Sequence, residues 1–182
     1  MAQKTKQRRL IDKALTSLGL VATIVLIVIG GLAWWAYSFI SGNVHDELAS
    51  QQIYFPPKGS PALASPKIGP YLNQYAGQQL LDGEQAKAYA DHFIAVHLSE
   101  VAGGKTYAQV SSELQANPTN PTLKAEQQTL FQGETLRGLL LGDAYAFSVI
   151  GSIARIVSIV CFVAGGVMLV LVVLGFWHLS TL

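Results

Sequence analysis

Two long apolar runs bracket a polar middle. From Leu18 to Ile40, LGLVATIVLIVIGGLAWWAYSFI, 23 residues pass without a charged side chain; from Ile156 to Trp177, IVSIVCFVAGGVMLVLVVLGFW, another 22 do. At 1.5 Å per residue these are about 34 and 33 Å long, enough for a hydrocarbon core of roughly 30 Å, so each predicts a transmembrane helix. The first is longer than the apolar core of a cleavable signal peptide, about 7–15 residues, and it closes on Trp34, Trp35, Tyr37 and Phe39, an interfacial aromatic belt. It reads as an uncleaved anchor. Trp177 and His178 mark the far boundary of the second.

The polar stretch SGNVHDELASQQ (41–52) continues the first helix beyond the bilayer. Five of the seven prolines then fall between Pro56 and Pro70, which predicts extended or turning chain and no helix, anchored by Tyr54 and Phe55. Asp82 with Gln85 has the form of a capping box and opens a helix carrying Ala86, Tyr89, Ala90, Phe93, Ile94 and Val101, with Gly103-Gly104 as its stop. Thr106 with Gln109 repeats the pattern before Val110 and Leu114. Asn117-Pro118 ends that helix, and Asn120-Pro121 starts a long one running to about residue 179.

That last helix would be nearly 90 Å long, so its first half projects from the membrane. A third span beginning at Leu136 is the rival; it would hold Asp143 in mid-bilayer at about 2.5–3.5 kcal/mol, with no turn before the next span. Leu139 and Leu140 are therefore both placed in a packed helix above the bilayer. Arg155 marks the outer interface, where its stem can snorkel to phosphates. Gly133, Gly138, Gly142 and Gly151 would bend this helix or let another approach it.

The expected fold is an all-α membrane protein: two transmembrane helices with helical extracytoplasmic extensions and a Pro-rich loop. Its segments are a basic cytoplasmic tail (1–17), a first span (18–41), an extracytoplasmic helical domain (42–155), a second span (156–178) and a cytoplasmic tail (179–182). Charged residues make up 13% of the chain, against about 25% in an ordinary soluble domain. Charge also sets the orientation. The first 13 residues carry Lys4, Lys6, Arg8, Arg9 and Lys13 against Asp12 alone, while residues 42–145 carry six bases and ten acids. The positive-inside rule then puts both termini in the cytoplasm. Arg8, Arg9, Lys13, Trp34, Trp35, Arg155 and Trp177 are the interface residues. Small residues mark where the spans touch: Gly30 and Gly31 on the first, Ala154 with Ser158 and Cys161 with Gly165 on the second.

Little in the sequence carries chemistry. Gly104-Lys105-Thr106 resembles the end of a phosphate-binding loop, but Ser99 stands where the motif needs its first glycine, and the run follows a helix end instead of a strand. No nucleotide is expected. His92 and His97 are five apart, which on an α-helix separates them by about 140°, a poor grip on one ion. A set joining His45 to one of them with Glu47, Glu84 or Asp91 needs tertiary coincidence, and solvated or hydrogen-bonded histidines are preferred. Glu84, Lys87 and Asp91 read as a solvated, mutually paired helix face. No Gly-x-Ser-x-Gly or Ser-x-x-Lys occurs, and the lone Cys161 lies in an apolar run as a packing residue. The basic tail beside a span reads as a topology signal touching anionic lipid, with no nucleic acid. No catalytic, metal or cofactor residue is assigned.

The segments HDELASQQIYFPP (45–57), QYAGQQLLDGEQAKAYADHFIAVHL (74–98), GGKTYAQV (103–110) and GETLRGLLL (133–141) resemble an uncharacterised actinobacterial family of two-pass membrane proteins with an exported middle domain. The likeness covers roughly residues 43–155 and implies that architecture. Some members of similar families are labelled aromatic ring-opening dioxygenases; the histidine spacing gives that activity no support, and no site residue is carried over. The expected function is that of a non-catalytic accessory or scaffold subunit of a cell-envelope or membrane complex, partnered by lipid and by other membrane proteins or its own copies. A partner-dependent extracytoplasmic sensor is the alternative, and an exported metal-dependent enzyme the third choice.

Overall fold

The computed structural model describes residues 2–181, with side chains from Lys6 to Thr181, so the Lys4 side chain and Leu182 lie outside the described residues. Helix dominates. In chain order come α1 (Ala2–Gln51), the short α2 (Pro61–Ala64) and α3 (Gly69–Leu72), α4 (Gly83–Tyr89), α5 (Ala95–Glu100), α6 (Tyr107–Ala116), α7 (Pro121–Leu139) and α8 (Phe147–Thr181). π-Helical turns at Ala90–Ile94 and Leu140–Ala146 join α4 to α5 and α7 to α8. Among the described residues there is no strand, only an isolated antiparallel bridge between Tyr54 and Gln79. The chain forms two units, one of residues 1–39 with 150–182, the other of residues 40–149.

The first unit contains the apolar lengths of α1 and α8, both long and apolar enough to cross a membrane. Their inward positions recur at alternating steps of three and four: Thr16, Gly19, Thr23, Leu26 and Gly30 on α1; Ser158, Cys161, Gly165, Met168, Val172 and Gly175 on α8. A repeat of 3.5 keeps one seam facing its partner, as in a coiled coil. The helices run antiparallel, with Gly19 against Val172 and Gly30 against Cys161 and Phe162.

In the second unit the chain stops being helical at Gln52, whose φ is +53°, and turns into the proline-rich segment. That segment is not free of helix, contrary to the sequence reading. α2 and α3 lie within it because Pro61 and Pro70 occupy first-turn positions, where the missing N–H costs no hydrogen bond; the Ser60 hydroxyl caps α2 by accepting from the Ala62 N–H. Phe55, 2% exposed, sits between the rings of Tyr75 and Tyr89 at 5.1 and 5.4 Å, and Phe55 N–H donates to the Gln78 carbonyl at 2.9 Å. Burying such a ring stabilises the fold by about 1.5–3 kcal/mol. Tyr54, by contrast, stays exposed.

Asp82 caps α4 by accepting from the Gln85 N–H at 2.8 Å, but the Gln85 side chain reaches past Asp82 to accept from Leu81 N–H at 2.6 Å. The reciprocal capping box is complete at Thr106 and Gln109. Asn120 caps α7 by accepting from Thr122 and Leu123, with Pro121 next.

The core of this unit takes Ala86, Ala90, Ile94 and Leu98 at a constant spacing of four. On a straight α-helix each such step overshoots by about 40°, so the row would wind off the core. The π turn at Ala90–Ile94 is wider and brings it back. Gly83 lets α4 lie against Ser148, and Gly133 admits Leu98 onto α7, since a Cβ at either place would collide. Leu140 is 2% exposed and belongs to the core, whereas Leu139 is 53% exposed, so only one of the adjacent leucines is packed.

Candidate functional site

In the unit of residues 1–39 and 150–182, the seam is held by small side chains and, among the described residues, one buried hydrogen bond. The Ser158 hydroxyl donates to the Gly30 carbonyl at 2.8 Å. Gly165 lies against Leu26 and Ile27, and Gly175 against Thr16. Thr16 and Thr23 hydroxyls bond back to carbonyls on their own helix, at Asp12 and Gly19. Gly31 points elsewhere, with nothing within 4 Å of where a Cβ would be, so close approach in α1 rests on Gly30. Cys161 is half-buried in the seam. Trp34 and Trp35 turn outward; Trp34 meets Tyr37 edge-on at 5.5 Å, and the Arg155 guanidinium lies 5.6 Å from the Tyr37 ring centre. Arg8, Arg9, Lys13 and Trp177 are also exposed, with Arg8 4.0 Å from Asp12.

In the unit of residues 40–149, Asp91 is an electrostatic hub. It accepts from Lys87 one turn earlier and from the Arg137 guanidinium of α7 at 3.2 Å; Arg137 also faces Glu134 at 3.6 Å, and Lys87 lies 5.2 Å from the centre of the Tyr145 ring. Hydrogen bonding from Lys87 holds the Asp91 carboxyl below the usual range, and burial opposes it only in part. The same bond raises Lys87, and burial raises the Tyr89 phenol. Lys87 and Asp91 pair as the sequence suggests and Glu84 stays exposed, but Asp91 is not merely solvated, because Arg137 reaches it from another helix. The Arg137 Nε is buried with no hydrogen-bond acceptor among the described residues.

Beside the π turn at Leu140–Ala146 lies a cleft of about 470 Å³. Val44 and Leu48 from α1 and Leu140 and Ala144 from the π turn form its floor; Asn43, Glu47, Gln51 and Asp143 supply its polar atoms, and Leu139 and Phe147 line it further. No known protein family, curated protein or solved structure matches this chain.

The histidines are engaged separately. His92 stacks on Tyr71, centroids 3.6 Å apart, and the His97 Nδ1 lies 2.7 Å from the Phe93 carbonyl. Because the π turn widens the helix at Ala90–Ile94, the 140° separation of an unbroken α-helix does not describe this pair. Among the described residues no three His, Cys, Asp or Glu side chains are grouped to hold a metal ion. The Gly103-Gly104 run before Lys105 and Thr106 is a helix stop, with positive φ at both glycines and at Ala102. Chemically, the domain offers a carboxylate hub that ties α4 to α7 and an acceptor-rich cleft with an apolar floor. Sequence reasoning missed both the Arg137 contact and the cleft. Arg137, the one charge inside LRGLLL, was the available signal.

Proposed function

We propose that this chain is a two-pass membrane protein, residues 1–17 and 179–182 cytoplasmic and residues 42–155 outside, serving as a non-catalytic accessory or scaffold subunit through its helical domain. The observation that supports the membrane reading is exposure. Only 11% and 17% of the most apolar windows of the two long helices are buried, and their outer faces carry Ile24, Val28, Leu32, Val163, Val170 and Leu174. A core helix of a water-soluble protein would hide such a face; a bilayer covers it without protein. The seam fits the same reading, because helices in lipid associate through small residues and interhelical hydrogen bonds. Arg155 over Tyr37 at one end and the basic residues before Thr16 at the other suit the two interfaces. The cleft favours a second reading, a partner-dependent receptor that takes a small ligand.

Two measurements test this. A reporter active only in the cytoplasm should work after Leu182 and fail after Ser112; activity at Ser112 overturns the orientation. Gentle-detergent purification from native membranes should yield a stoichiometric protein partner whose abundance falls when this chain is deleted. A chain that runs alone, with every candidate partner unaffected by its deletion, overturns the scaffold role.

A further inference from the structure

The cleft beside the π turn lies wholly within residues 40–149, so it stands independently of membrane topology. Its volume of about 470 Å³ falls in the range of small-molecule pockets, roughly 300–1,000 Å³. Its floor is part of the hydrophobic core: Leu48 and Leu140 are each 2% exposed, with Val44 and Ala144 beside them. Its charged groups, Glu47 and Asp143, are both acids, and no Lys, Arg or His lines it. Neither carboxylate has an ion-pair partner among the described residues, although Asp12, Asp91, Glu113 and Glu134 all do. Phe147 also lines the cleft. One wall is a π turn, a local unwinding that recurs at functional sites.

We propose that this cleft binds a small organic ammonium ion with an apolar body, such as an arylalkylamine. The apolar body would lie on the floor of Leu48, Leu140 and Ala144 and displace water from the exposed Leu139, and the ammonium would lie toward Glu47 and Asp143, with Phe147 near enough for cation–π attraction. Charge complementarity selects this class over the others. An organic anion would face two carboxylates with no base to meet it, and a neutral apolar molecule would draw no attraction from the exposed Glu47 and Asp143. A hard metal ion takes about six to eight oxygen ligands, and an apolar floor supplies none. The side chains of Asn43 and Gln51 add acceptors that an ammonium can use.

The test uses the full chain in nanodiscs of zwitterionic lipid, with empty discs subtracted. Phenethylammonium is the probe; 2-phenylethanol, its uncharged counterpart, and phenylacetate, the anion, are the comparisons. Calorimetry should show saturable one-to-one binding of the amine alone, weakening as salt is raised. The pair Glu47→Gln and Asp143→Asn should weaken it about tenfold. Leu139→Trp should abolish it by filling the cleft, and the half-exposed site of Leu139 lets that variant fold. Three outcomes overturn the proposal: the alcohol binds as well as the amine; the double variant binds the amine as tightly as the parent; or no amine saturates up to about 10 mM, an affinity weaker than about 3 kcal/mol, while a photo-crosslinker at position 47 captures a protein. The last would make the cleft a protein-docking surface instead.

Discussion

Residues 40–149 fold around side chains such as Phe55, Leu72, Leu80 and Leu140, all 2% exposed or less, whereas in the unit of residues 1–39 and 150–182 the most hidden positions are Thr23 and Ser158, with Gly30 and Gly165 between. The large side chains change places. In the first they point in; in the second Ile24, Val28, Val163 and Val170 point out. Where the surroundings are water, burying large apolar area drives folding, at about 25 cal/mol per Å². Where they are lipid, as the proposed function has it, that drive vanishes between helices, and close contact of backbones takes its place. Both units are helical, and they differ in which side chains they bury.

The sharpest way to break that contrast is to put one charge on each side of a core boundary. Leu140→Asp should cost the 40–149 domain about 3–5 kcal/mol, because a carboxylate would enter an apolar core site that is 2% exposed. Leu139→Asp, one residue away and 53% exposed, should cost within about 0.5 kcal/mol. Denaturant titration of the full chain in mild detergent, followed by near-ultraviolet circular dichroism, reads both. Equal losses would mean that the π turn does not set the facing of these leucines.

A smaller effect is expected at Asp91. Asp91→Asn leaves Lys87 and Arg137 without their shared carboxylate and should cost about 1–2 kcal/mol near neutral pH, the lower part of the range for charged hydrogen bonds because both cations reach solvent. The sign with pH follows from two opposite displacements. Asp91 is held below its ordinary 3.8, first by the hydrogen bond from Lys87, so its contribution is full above that value and is lost as pH falls through the lowered one. Lys87 is raised above 10.5, first by the same bond, so its contribution is full below that value and is lost as pH rises through the raised one. The stability difference between parent and Asp91→Asn should be flat from about pH 5 to 9 and shrink on both sides. A difference that grows at low pH would remove Asp91 as the hub.

Much of this architecture was legible because it is written in local residues. The two apolar runs, the caps at Asp82, Thr106 and Asn120, and the long helix from Pro121 each depend on side chains within a turn or two of one another. What was not legible depended on registry between distant segments. Neither π turn has a local signal in ADHFI or LLGDAYA; each is set by what the helix must face, and so the spacing argument for His92 and His97 started from the wrong helix. Asp91 and Arg137 are 46 residues apart, and nothing near either names the other. The cleft joins residues 43–51 to 139–147 for the same reason. Gly30 and Gly31 look identical in sequence, and only the 3.5-residue seam tells them apart.

A small effect is also expected at a hydrogen bond that crosses the seam. Ser158 is fully buried and its hydroxyl reaches the Gly30 carbonyl at 2.8 Å, which in water-soluble cores would suggest a large contribution. Two features argue for a small one. The Gly30 carbonyl lies inside a continuous helix and keeps its own backbone donor, so removing the hydroxyl leaves no unsatisfied acceptor. Hydrogen bonds between membrane helices also average about 0.6 kcal/mol, because helices separated in lipid find other partners for the same groups. Ser158→Ala should therefore cost about 0.6 kcal/mol in helix association, read by steric trapping in bicelles, and less than Asp91→Asn costs the other unit. Were Ser158→Ala the more damaging of the two, hydrogen bonding would outrank small-residue contact in holding α1 to α8, and the contrast between the two units would have to be redrawn around Ser158.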